Sequence, residues 1–216
     1  LKYDDVNNTQ REVIYTRRDH VIYSDNLERD FLYMVEDAIY DLLGKYAPQG
    51  QYPEDWDYDG LKGELLDRFT LYQSFDGINR ETLTRDELAE MLKKSFELAF
   101  QEKKLDIERI PDDVFMMVLG PVQESDSKVN VFLRSVMLRA IDKNWMDNLL
   151  ALDHLKEGIG LRGYAQKDPL LEYKREGYEI FADMIDRINL QSVESIMKFA
   201  VRPREERRGT IIVSAS

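Results

Sequence analysis

The chain has 216 residues with a net charge of −12, and 43% of them are hydrophobic and 11% aromatic, which is ample for a packed core in one large or two small domains. So acidic a balance excludes general nucleic-acid binding, because phosphate would be repelled over most of the surface. With no cysteine at all, disulfides, thiolate metal sites and cysteine nucleophiles are excluded together.

Residues from about Tyr3 to Tyr46 read as helix, broken near Ser24-Asp25-Asn26. The second half carries the clearer stripe, with Leu27, Phe31, Met34, Val35, Ala38, Ile39, Leu42, Leu43 and Tyr46 at three- and four-residue steps. Asp25 followed by Glu28 has the spacing of a capping pair. Upstream, Val6, Val13, Ile14 and Val21 form a thinner stripe, which suits a long helix lying across other elements. Ala47-Pro48-Gln49-Gly50 stops this first part.

The stretch from Gln51 to Asp113 carries 17 acidic against 9 basic residues, so most of the net charge sits there. It opens with Pro53-Glu54-Asp55-Trp56, continues with a short helix near Leu61 to Phe69, and turns at Asp76-Gly77. Thr84 and Glu87 then have the spacing of a capping box, ahead of an apolar face of Leu88, Met91, Leu92, Phe96 and Ala99. The run Val114 to Leu119, between Pro111 and Gly120-Pro121, fits either a buried strand or a buried helical turn, and its helical neighbours tilt the reading to helix.

From Lys128 to Glu157 there is no proline or glycine, and Val129, Phe132, Leu133, Val136, Met137, Ala140, Ile141, Leu149, Leu152 and Leu155 hold helical spacing. Thirty such residues predict a rod of roughly 45 Å. A glycine-rich turn is expected over Gly158 to Tyr164. Asp168-Pro169 restarts a helix as cap and first helical residue, with Tyr178, Phe181, Met184, Ile185 and Ile188 on its inner face. Two helices so joined make an antiparallel hairpin with an exposed tip. Tyr164 in that tip is either tucked back or presented to a partner, and the residues alone leave both open. Beyond it, Arg202 to Arg208 reads as a mobile charged tail, and Thr210 to Val213 has strand character with no evident partner in this chain.

Gly44-Lys45 lacks the glycine spacing and following Ser or Thr of a phosphate-binding loop, so ATP hydrolysis by this chain is not expected. His154 beside Asp153 and Glu157 is the one metal-like grouping, and its ordinary reading is a surface or interhelical histidine. No run approaches the ~20 apolar residues of a spanning helix. Leu1-Lys2-Tyr3-Asp4-Asp5 has neither the charge pattern nor the apolar core of a signal peptide. The expectation is a soluble protein that meets a membrane only at its surface.

Several segments resemble the SecA family of preprotein-translocation motors. One is Tyr3-Asp4-Asp5-Val6 with Gln10-Arg11-Glu12-Val13-Ile14-Tyr15. A more specific one runs Ile141-Asp142, Trp145-Met146-Asp147, Asp153, Leu155, Gly158-Ile159, Leu161-Arg162-Gly163-Tyr164-Ala165-Gln166-Lys167-Asp168-Pro169-Leu170 and Glu172-Tyr173-Lys174-Arg175-Glu176. Tyr46 to Leu65, with Pro53, Trp56 and Gly60-Leu61, is similar more weakly. The chain departs from the family's pattern at Asn144 and Asn148, where histidine is common, in the apolar run Val114–Leu119, and in lacking the family's zinc-binding cysteine motif.

The resemblance implies an all-α fold with a long scaffold helix, a small helical wing subdomain and an antiparallel two-helix finger. Residues 1–46 and 122–201 would form the scaffold, with the finger at 128–190, residues 47–121 the wing, and 202–216 a flexible tail. It further implies the C-terminal part of a motor that pushes unfolded preproteins through the Sec channel. ATP and magnesium would be held by motor domains absent from this chain, and no cofactor is expected within it. Tyr164, with Leu161, Arg162 and Lys167 around it, would contact substrate and channel. Arg162 and Lys167 could also meet anionic lipid. Trp145, Gln10 and Arg11 are candidates for contact with the motor domains. Such a protein would work in the cytoplasm at the inner face of the bacterial plasma membrane, with homodimerisation left open. The alternative is a standalone helical interaction module without a motor.

Overall fold

A computed structural model describes residues 4–122, 126–162 and 168–200, with the backbone alone for 160–162. Their regular structure is helical: α1 (Asp4–Tyr23), α2 (Leu27–Tyr46), a 3-10 turn (Pro53–Asp55), α3 (Tyr58–Phe69), α4 (Arg85–Glu108), α5 (Asp112–Leu119), α6 (Lys128–Arg162) and α7 (Pro169–Lys198). The all-α expectation therefore holds, and among the described residues there is no strand. Thr210–Val213 and the tail from Arg202 lie outside the described residues.

The break between α1 and α2 is made from a distance. Asn26, not Asp25, caps α2 by accepting from the Arg29 amide. The freed backbone around it is answered by α6. Asn130 Oδ1 accepts from the Leu27 amide at 2.9 Å and its Nδ2 donates to the Ser24 carbonyl at 3.0 Å. Arg134 donates to the Val21 and Ser24 carbonyls at 3.2 and 3.1 Å. Buried backbone groups need partners, and two side chains more than a hundred residues away supply them.

The main core forms where α2 lies between α4 and α7. Phe31, Leu43, Leu88, Leu92, Phe96, Met184 and Ile188 are all fully buried in it. Phe31 meets Phe100 with ring centres 4.4 Å apart, and Phe69 meets Phe96 edge-on at 5.1 Å. The capping box expected at the start of α4 is present, with Thr84 and Glu87 each bonding the other's backbone amide. Val114–Leu119 resolves as helix within α5. Phe115 alone is buried there, while Met116, Met117 and Val118 stay exposed. At the end of α7, Lys103 of α4 donates to the Phe199 carbonyl at 2.7 Å, and the Phe199 ring lies 4.5 Å from that of Phe132 in α6.

α3 is tied to α2 and α7 through Glu64 and Arg68. The Glu64 carboxylate accepts from Lys45 and Tyr46 of α2 and from Arg68 of α3, and Arg68 also pairs with Glu194 of α7. Gly60 lets this junction close, because a Cβ there would collide with the Asp57 carboxylate that caps α3 and stand 2.6 Å from the Tyr46 ring. Burial alone would raise the Glu64 carboxyl, but the hydrogen bonds from Lys45, Tyr46 and Arg68 outweigh it and bring the group down to about 2 from 4.5. With the folded value depressed, the stabilisation is complete above 4.5 and lost as pH falls toward 2. Urea midpoints measured across that window are expected to fall, and to fall less steeply in Glu64→Gln. Asp126 adds to the remaining slope, since burial would raise it but Arg134 and Asn130 hold it below its ordinary value.

Candidate functional site

The longest helices build the hairpin. α6 has 35 residues, or roughly 52 Å at 1.5 Å each, and α7 has 30. They run antiparallel. Phe132 faces Phe199, Asn144 Nδ2 donates to Gln191 Oε1 at 2.9 Å, and Leu152 sits over Gly177. Asp168 caps α7 by accepting from the Leu170 amide at 2.9 Å, with Pro169 at the first position, as expected.

The expected turn at Gly158 is corrected. α6 continues through Gly158 and Gly160 to Arg162. A glycine costs a helix interior only about 1 kcal/mol relative to alanine, and Ile159, 2% exposed, packs with Leu155 and Tyr173 on the way. The inner face of α7 holds at Phe181, Met184, Ile185 and Ile188, which pack in or against the main core, and is corrected at Tyr178. Tyr178 is 71% exposed, while Tyr173 is fully buried and Gly177 faces Leu152.

Of the residues singled out for contact, Tyr164 and Lys167 lie outside the described residues, and Leu161 and Arg162 are placed by backbone only, in the last turn of α6. Trp145 is buried in the main core of this chain, Gln10 is buried between helices, and Arg11 is exposed on α1. His154 is solvent-facing, with Glu157 at 4.0 Å.

Sequence reasoning missed a polar layer across the hairpin. α1 lies antiparallel to α6, as the contacts of Gln10 with Asn148 and Arg18 with Asp142 show. Gln10 Nε2 donates to the Gly177 carbonyl at 2.9 Å, and its Oε1 accepts from Asn148 Nδ2 at 3.0 Å. The orientations follow by elimination. A carbonyl only accepts, so Gln10 must turn its NH₂ to Gly177, and Asn148 must turn its NH₂ to Gln10. Asn148 Oδ1 is then left fully buried without a donor among the described residues, at a cost of about 1–3 kcal/mol. Gly177 sits close under both neighbours, since a Cβ there would lie 3.3 Å from Leu152, a tight contact, and 3.6 Å from Val6, an ordinary one. The signal in the sequence was an interruption of each apolar stripe at helical spacing: Val6–Gln10–Ile14, Asn148–Leu152 and Tyr173–Gly177–Phe181.

Comparison with known proteins settles the family. The model of the SecA wing and scaffold domain matches residues 1–200. The chain belongs to the SecA wing and scaffold family. Among its relatives, a protein translocase subunit SecA of Syntrophus aciditrophicus is 35% identical over 211 residues, covering 95% of this chain and 22% of that protein. The SecA subunit of Trichlorobacter lovleyi is 36% identical over 209 residues, covering 95% and 21%. That of Pelotomaculum thermopropionicum is 35% identical over 214 residues, covering 99% and 22%. The chain thus spans about a fifth of the length of these relatives. In this member of the SecA wing and scaffold family, Asn144 and Asn148 hold interhelical amide bonds to Gln191 and Gln10. Among the described residues no helix is long and apolar enough to cross a membrane.

Proposed function

We propose that this chain is the substrate-contacting and coupling portion of a SecA-type protein-translocation motor. The observation supporting it most directly is the hairpin, two long antiparallel helices whose adjoining ends, Arg162 and Pro169, bracket the short segment that holds Tyr164. Family membership supplies the context. A finger of this shape offers unfolded preproteins a grip at the mouth of the Sec channel that does not depend on their sequence. A tyrosine suits that task, presenting an apolar ring and one hydroxyl. Leu161, Arg162 and Lys167 would complete the contact, with the two cations also suited to anionic headgroups on the cytoplasmic face of the bacterial plasma membrane.

ATP and magnesium belong in this reading to motor domains elsewhere in the full protein. Arg11, exposed on α1, is the docking candidate for those domains. Gln10 and Trp145 would act behind that surface, since both are buried against this chain's own helices.

The test is a photo-crosslinker at position 164 of the full-length protein during transport. Adducts to both preprotein and channel are expected. Tyr164→Ala should slow transport severalfold and leave the thermal midpoint of the present chain unchanged. Loss of transport and of folding together would identify a packing tyrosine and favour a helical module that merely associates.

A further inference from the structure

The apolar side chains of the hairpin fall into two clusters. The larger contains Ile14, Trp145, Met184 and the rest of the main core. The smaller contains Leu152, Leu155, Ile159 and Tyr173, with Val6 and Ile180 packed against it. Between them lies the layer of Gln10, Asn148 and Gly177, one residue from each of the three helices. Across this level the stripes of α6 and α7 continue only through half-buried side chains, Leu149, which packs on the larger cluster, and Ile180, which packs on the smaller. Gln10 stands one turn from both Val6 and Ile14, Asn148 one turn from Leu152, and Gly177 one turn from Tyr173 and Phe181.

We infer that this amide layer is a parting plane, along which the outer half of the finger opens as a unit while the inner half and the wing stay folded. Apolar contact couples neighbouring segments because separating them exposes surface to water. An amide layer couples them weakly, since its hydrogen bonds are exchanged for hydrogen bonds to water on opening. The orphaned Asn148 Oδ1 tips the balance further, because it gains a water partner only in the open form. α1 reinforces the division. It buries only Gln10, Ile14 and Val21, so little apolar surface clamps it over the outer half. Its contacts to the outer half include half-buried Val6 against the small cluster, Asn7 accepting from the Tyr173 hydroxyl at 3.1 Å, and Asp4 at 3.6 Å from Lys156 at the surface. Gln10 and Asn148 are therefore positioning residues that set how readily the tip-bearing half changes its pose.

Native-state hydrogen exchange on the 216-residue chain tests this without reference to transport, so its outcome is independent of the proposed function. Amides of the outer turns, 150–158 and 171–176, should exchange about a hundredfold faster than those of 132–141 and 184–193, with a weaker dependence on denaturant. The change should come as a step at Asn148 and Gly177. In the double variant Gln10→Leu/Asn148→Leu, which joins the two clusters through apolar side chains, that gap should narrow by at least about tenfold. A smooth gradient inward from the helix ends would signify ordinary fraying and overturn the inference. So would equal protection on both sides of the layer, or a gap unchanged in the double variant. Should the double variant not fold, the step or gradient in the parent chain decides alone.

Discussion

Replacing Arg134 with alanine is expected to lower the unfolding free energy by about 2–4 kcal/mol, read as a drop in the urea midpoint at constant slope. The guanidinium donates to the Val21 and Ser24 carbonyls and pairs with Asp126. Arg134 and Asp126 are mostly withdrawn from water, with side-chain exposures of 22% and 14%. Truncation therefore leaves a carboxylate and two carbonyls short of partners in a place water reaches poorly. Lysine should rescue only part of the loss, because a point charge cannot reproduce the fork that spans two carbonyls and a carboxylate. Asn130→Ala should be milder, about 1–2 kcal/mol, since it removes amide bonds and no buried charge pair. If Arg134→Ala proved neutral, the corner between α1 and α2 would have to be held by its own local sequence.

The second large effect is expected at Tyr173. It is fully buried in the outer cluster, and truncation to alanine should cost that cluster about 3–5 kcal/mol. Tyr173→Phe should cost only about 0.5–1.5 kcal/mol, the worth of the hydroxyl's bond to Asn7. Circular dichroism should show Tyr173→Ala losing part of its helical signal, with the tertiary signal of the inner core intact. A uniform loss across both would mean that Tyr173 supports the whole molecule.

The helices were legible in the sequence because their stripes are long and their caps conventional. Thr84 with Glu87 and Asp168 with Pro169 mark starts that the structure reproduces. Asp25 failed as a cap because the choice between it and Asn26 is made by Asn130 and Arg134, far along the chain, and local spacing carries no trace of them. The turn at Gly158 failed because glycine is only mildly unfavourable in a helix, and the packing of Ile159 outweighs it. On the inner face of α7 Tyr178 alone failed, because spacing does not separate it from Tyr173, which is the tyrosine that packs with Leu152, Leu155 and Ile159 of α6. The polar layer went unseen for a different reason. A polar residue in an apolar stripe reads as a gap, and becomes a feature only when its partners on two other helices are known.

The far end of α7 bears on how force would travel. Phe199 is held by Lys103 through its carbonyl and by Phe132 through its ring. An axial pull or push at the hairpin's tip therefore meets a fastened root that belongs jointly to α4 and α6. The acidic region between α2 and α6 thus anchors the far end of the rod, and shortening or loosening α4 would release that end without altering a single residue of the hairpin.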